Sequence, residues 1–286
     1  MSLSTHPLTP RFGLEVLGVD LASVDEATFV ALRALWQTEP LLLLRRQCLD
    51  EAELVALSRR FGELHVLRRD YVHPPRHPEV LYVSNLRTEA GTRLGTLGSS
   101  ELGWHTDQSY QPRPATGAVF QAVEVPEGTG ATEWCNTVLA YAALPDTVRA
   151  AIASRRGVSR YNAYERETGL DEARKAALRA QHPPVAHPLV LTHPVSGERG
   201  LYLDISTTYA VEGMDDVEAR ALLASLAEVM TRPEHVYTHH WRPGDVMLWD
   251  NARLCHRRDP IDLHAPRLAK RTTIYMDPAR FPVPAA

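Results

Sequence analysis

The stretch "DVMLWDNARLCHRRDP" (Asp245–Pro260), followed after six residues by "RLAKRTTIYM" (Arg267–Met276), decides how this chain is read. An apolar run with a polar end places His256 just past a strand. If the second stretch is also one strand, Arg267, Ala269, Arg271, Thr273 and Tyr275 share a face, because successive side chains alternate across a strand. Two arginines on an interior face of a β-structure need anionic partners, since a buried unpaired charge is costly. The planar fork of arginine fits a carboxylate with two parallel hydrogen bonds.

Working outward, "GWHTDQSY" (Gly103–Tyr110) places His105 and Asp107 two apart. On an extended strand they aim an imidazole and a carboxylate at one point. The spacing alone is weak. His77-Pro78-Glu79 repeats it in a proline-rich turn, where it reads as structural. With His256 as a third ligand, the set becomes two histidines and one carboxylate. That set leaves open positions on a metal and suits non-haem Fe(II) with a chelating cosubstrate and dioxygen. A zinc hydrolase or lyase built on the same three ligands is the alternative. A binding protein without catalysis is a third reading, and an intact triad argues against it.

Between these segments, "EATFVALRALWQT" (Glu26–Thr38) and "DEAELVALSRRFG" (Asp50–Gly62) have helical periodicity, with Asp50 as N-cap and Gly62 as the stop. "LLLLRR" reads as a buried strand. So do "EVLYVSN" (Glu79–Asn85), "GAVFQAVEV" (Gly117–Val125), "AHPLVLTH" (Ala186–His193) and "GLYLDIS" (Gly200–Ser206). Helices are expected at 138–144, at 145–154 with Pro145 in the first turn, at 171–181 and at 215–234. The fold class is therefore mainly β with helical insertions, one domain over residues 1–286, with a helical insert at about 136–181. Irregular alternation of strands and helices argues against a doubly wound parallel sheet. The Gly-, Ser- and Thr-rich segment Thr88–Gly103 lacks apolar anchors and is expected to be a mobile lid.

Composition narrows the classes further. The chain has 286 residues, a net charge of −4 and no long basic run, so no nucleic-acid partner is expected. Its longest apolar stretch is far too short to span a bilayer. The N-terminus has no basic start followed by an apolar segment, and the three cysteines are widely spaced. A cytoplasmic protein is expected.

The combination of His105-x-Asp107, His256, Arg267 and Arg271 resembles the taurine dioxygenase and 2,4-dichlorophenoxyacetate dioxygenase family. "RRFGELH" (Arg59–His65), "WHTD", "HPLVLTHPVSGERGLYL" and "GDVMLWDN" follow in that family's order, and the resemblance runs roughly from Phe12 to Asp277. It implies a double-stranded β-helix (jelly-roll, cupin-like) core. It implies Fe(II), 2-oxoglutarate and O2 as cofactors, with His105, Asp107 and His256 as iron ligands. Thr132 and Arg267 would hold 2-oxoglutarate. The reaction implied is hydroxylation of an unactivated C–H of a small anionic substrate, with succinate and CO2 as co-products. Because Asp107 is present, hydroxylation is favoured over halogenation. Arg271, His65, Glu101 and Ser206 would contact the substrate, and Tyr110, Tyr161, Asn162 and Arg68 are further pocket candidates. The chain departs from the taurine enzymes at three of these places. Leu67 stands for a second histidine, Glu101 for an asparagine and Ser206 for an aromatic, so taurine is not carried over as the substrate. A homo-oligomer, dimer or tetramer, is expected by the same analogy.

Overall fold

The computed structural model describes residues 2–66, 76–95, 97, 101–161, 171–262 and 264–285. The first strands are β1 (Ser4–Pro7), β2 (Leu14–Leu17), β3 (Leu41–Leu44), β4 (Gly62–Leu64), β5 (Val80–Ser84) and β6 (Leu102–His105). Then come β7 (Gly117–Glu124), β8 (Thr132–Asn136), β9 (Arg156–Ser159), β10 (Val185–Pro188), β11 (Val190–Thr192) and β12 (Arg199–Leu201). The last are β13 (Thr208–Val211), β14 (Val236–His239), β15 (Val246–Asp250), β16 (Leu254–Arg258) and β17 (Leu268–Met276). The helices are α1 (Glu26–Thr38), α2 (Glu51–Arg59), α3 (Thr137–Ala142), α4 (Asp146–Ile152), α5 (Glu172–Gln181) and α6 (Asp216–Met230).

Two sheets carry the architecture. The large one runs β1-β2-β3-β15-β7-β17-β4, with β5 also paired to β17, and the small one runs β14-β8-β16-β6. "LLLL" is buried at every position because the large sheet is covered on both faces. Leu42 and Leu44 pack with Phe29, Leu32 and Trp36 of α1 and Leu54 of α2. Leu41 and Leu43 point the other way, into a cluster with Phe120 and Met247 and with Trp134 and Leu254 of the small sheet. The small sheet is covered behind by Ala140, Tyr141, Leu223 and Leu226, which meet Cys135 and Cys255. Cys255 therefore faces away from His256, as strand alternation requires.

The helix starts follow their caps. Asp50 and Glu53 form a reciprocal capping box on α2, and Asn136 accepts from Val138 and Leu139 at the start of α3. Four expectations are corrected. α2 ends at Arg59, before Gly62, which instead opens β4. A Cβ on Gly62 would sit 2.2 Å from the Tyr275 carbonyl, so glycine is there for close strand approach. Pro145 is the N-cap of α4 and not in its first turn. The segment read as one strand at Ala186–His193 divides at Leu189, whose N–H donates to Arg155 O, and its halves join different sheets. The insert also contains β9, which pairs with β10 and β13; its short "RGVS" has no alternation to announce it.

Part of the expected lid is ordered. Thr88 to Thr92 form a hydrogen-bonded turn, and Gly95 lies so close to Tyr82 O that a Cβ would be 2.3 Å away. The rest of the lid expectation, at residues 96 and 98–100, lies outside the described residues, as do Leu67, Arg68 and Asn162. Leu42→Ala should cost about 2–5 kcal/mol of stability. Urea unfolding of the variant against the parent measures it.

Candidate active site

Register builds the site. β16 lies antiparallel to β6 with His256 directly opposite His105, and antiparallel to β8 with His256 opposite Trp134. Directly opposed residues share a face at short range, and the two imidazole rings stand 4.1 Å apart. The strand stops at His105, contrary to the reading of one continuous strand. Asp107 begins a turn that polar contacts shape. Thr106 Oγ1 donates to Asn251 O at 2.7 Å, and Thr106 N–H to Asp204 Oδ2 at 3.2 Å. The turn still delivers the carboxylate: single ligand atoms of His105, Asp107 and His256 all lie within 4.8 Å of one another. His77 and Glu79 belong to no such group among the described residues, and Glu79 pairs with Arg59.

The electrostatics suit a cation at this point. Burial pushes the Asp107 carboxyl upward, but Arg271, His256 and His105 outweigh it and hold it well below the usual carboxylate range. Arg271 Nη1 donates to Asp107 Oδ1 at 2.8 Å, while Oδ2 is buried with no partner. Burial, then the neighbouring His105, pushes His256 far down, so its ring is neutral, and its Nδ1 is also buried without a partner. His105 Nδ1 lies 2.8 Å from Gly103 O, so that nitrogen donates its hydrogen there and Nε2 is the one left to ligate. Two imidazoles, one ionised carboxylate and two orphaned buried atoms fit a divalent transition metal with open positions.

Arg267 precedes β17 on the same face. Its side chain is 1% exposed and forms no ion pair among the described residues. Nη1 donates to Gly130 O at 3.2 Å, and Nε has no partner. Burial, then Arg258 nearby, lowers its pKa to about 10. A buried guanidinium without a counter-charge is costly unless an anion joins it. Gly130 makes the room, since a Cβ there would meet Arg267 Nη1 at 2.2 Å. Thr132 Oγ1 accepts from Trp241 Nε1 at 2.9 Å, so its own hydrogen remains available.

Arg271 borders a small open cleft of about 20 Å³, lined also by His65, Gln108, Glu79, Leu81 and Thr273. Odd positions of β17 face inward as expected. Its even positions face the helices, with Thr272 against Ser58 and Ile274 in the helix-covered core. The structure thus brings Arg271 and His65 together. Glu101 and Ser206 lie elsewhere: Glu101 pairs with Arg257, and Ser206 Oγ donates to Trp104 O. Tyr110 and Tyr161 pack with tilted rings, their centroids 4.8 Å apart.

Asp204 was not singled out in the sequence. It is buried and accepts from Ser206 N, Thr207 N, Thr106 N and Ser109 Oγ, so it braces the turn that carries Asp107. An isolated aspartate in "LYLDIS" carries no signal of this in sequence.

The family model "Taurine catabolism dioxygenase TauD, TfdA family" matches residues 4–273. The chain belongs to this family. A TauD/TfdA relative, the (S)-phenoxypropionate/alpha-ketoglutarate-dioxygenase of Sphingobium herbicidovorans, is 31% identical over 96% of this chain and 95% of its own. The alpha-ketoglutarate-dependent 2,4-dichlorophenoxyacetate dioxygenase of Cupriavidus pinatubonensis is 32% identical over 97% of this chain and 99% of its own. The crystal structure of AAD-2 in complex with Mn(II) and N-oxalylglycine superposes with a TM-score of 0.78 at 27% identity, covering 97% of this chain and 98% of that one. The TauD/TfdA protein described here is accordingly an Fe(II)- and 2-oxoglutarate-dependent dioxygenase that uses O2. The alternative reading as a zinc hydrolase or lyase finds no support among these relatives and is set aside.

Gly130→Ala should cost about 1–3 kcal/mol, because it forces an alanine into a left-handed backbone and displaces the Arg267 guanidinium. Thermal unfolding against the parent checks it.

Proposed function

We propose that this enzyme hydroxylates an unactivated C–H of a small carboxylate substrate of the aryloxyalkanoate class, held by Arg271. The observation that carries the reading is the pair of inward arginines four residues apart. Arg267 has no counter-charge among the described residues. Arg271 gives Nη1 to Asp107 and leaves Nε buried and unpartnered beside the cleft. Arg267 calls for an anion, the cosubstrate's distal carboxylate, whereas Arg271 is already paired with Asp107 and has only its unpartnered Nε to offer the substrate's own. Two relatives are named for phenoxypropionate and dichlorophenoxyacetate.

In this reading His105, Asp107 and His256 hold Fe(II) through the atoms left free by Gly103 and Arg271. Arg267 grips the far carboxylate of 2-oxoglutarate, and Thr132 donates to it because Trp241 already occupies the hydroxyl's acceptor side. Iron, when bound, supplies the oxidising chemistry that turns 2-oxoglutarate and O2 into succinate, CO2 and a hydroxylated product. The protein's own part is orientation. Arg271 holds the ligand carboxylate and the substrate oxyanion with one guanidinium, so a bound acid sits next to the metal position. His65, held by Tyr275, lines the same cleft. Glu101 and Ser206 act on more distant parts of the substrate. The two packed sheets form a jelly-roll core within a single catalytic domain. The three cysteines are free, which supports a cytoplasmic setting.

Adding Fe(II) and 2-oxoglutarate without oxygen should give a weak visible charge-transfer band. No band in the parent protein, or an unchanged band in His256→Ala, would overturn the site assignment. In a succinate-release screen of aryloxyalkanoates, sulfate esters and sulfonates, aryloxyalkanoates should lead. Arg271→Ala should raise their KM about tenfold or more; a preference for sulfonates would sink the substrate class.

A further inference from the structure

Gln108 directly follows Asp107 and has a left-handed backbone, with φ 59°. A long L side chain rarely adopts that conformation, and where it persists the surroundings hold it in place. Here a hydroxyl does so. Tyr275 Oη donates its single hydrogen to Gln108 Oε1 at 3.1 Å. Tyr275 Oη must then accept from His65 Nδ1, 3.0 Å away, which sets that imidazole as the Nδ1–H tautomer. Burial, then the charge of Arg271, pushes the His65 pKa down, so the ring is neutral as this relay requires.

The direction of the relay decides what Gln108 presents. Its carbonyl is taken by Tyr275, and its amide Nε2 has no partner among the described residues. Gln108, His65 and Arg271 line one cleft. Arg271 gives Nη1 to Asp107, and its Nε is buried and unpartnered. The Arg271 side chain and a neutral amide therefore border the same cleft, next to the metal ligand Asp107, while Glu79, which also lines it, is paired with Arg59. Reversed, the Gln108 carbonyl would face the cleft and repel an oxyanion; the Tyr275 hydroxyl prevents this.

We propose that Gln108 is a specificity residue of the substrate site, its side-chain amide donating to the substrate carboxylate beside Arg271, with Tyr275 as the positioning residue that orients it. The proposal rests on the carboxylate-substrate reading above and assigns a residue to it.

The test uses the full-length enzyme loaded anaerobically with Fe(II) and 2-oxoglutarate and titrated with 2-phenoxypropionate, following the visible band. Gln108→Leu should weaken the acid about tenfold, and Gln108→Glu by more, because a carboxylate then faces the cleft. Tyr275→Phe should give a smaller loss, since the freed amide can turn either way. The affinity for 2-oxoglutarate should stay at the parent value in the two Gln108 variants. Undiminished acid binding in both would overturn the role of Gln108 and leave the substrate reading standing. An equal loss for the acid and for 2-oxoglutarate would show a structural role only and would also overturn it. A parent enzyme that forms the band yet does not bind the acid would overturn the substrate reading and this proposal together.

Discussion

One ion pair ties the site to the fold. Arg271 of β17 in the large sheet reaches Asp107, in the turn after β6 of the small sheet, at 2.8 Å. Burial alone would favour a protonated Asp107, a poor metal ligand. The guanidinium reverses that preference and occupies one carboxylate oxygen, leaving the other free. The two packed sheets bring these side chains together, so the ligand's ionisation depends on how the core between Leu41, Leu43, Trp134 and Leu254 is packed.

The same inner face concentrates cost. Arg267 is buried without a counter-charge among the described residues, and Arg258 lies near enough to lower its pKa further. Asp107 Oδ2, His256 Nδ1, Arg267 Nε and Arg271 Nε are all buried without partners. Unpartnered buried atoms also occur elsewhere, at Thr137 and His187 among others, but these four belong to the ligand residues and the two inward arginines. The surrounding fold offsets that cost elsewhere, through clusters that cover both faces of both sheets. Binding of metal, cosubstrate and substrate should accordingly stabilise the protein, because each joins the folded state and not the unfolded one.

Much of this was readable from local pattern. The N-cap at Asp50 follows from residue type at a helix start, and the inward face of β17 from the period of 2. Those rules concern neighbours in sequence, and they failed where partners are distant. The break at Leu189, the strand β9 and the close approach at Gly62 depend on what lies across from them. The turn at Asp107 has the same origin, because Asn251 and Asp204 shape it and neither is near in sequence.

The sequence by itself determined the donor chemistry: two histidines, one aspartate and two inward arginines, together with a family order that named the reaction. Only the tertiary structure decided what each group faces. It placed His256 opposite His105, left Arg267 without a counter-ion among the described residues, and directed the glutamine after the ligand aspartate through a tyrosine hydroxyl. It also drew Glu101 to Arg257 and away from the cleft lining. The physical reason is that residue type fixes what a side chain can donate or accept, whereas register and turn geometry fix the partner it meets.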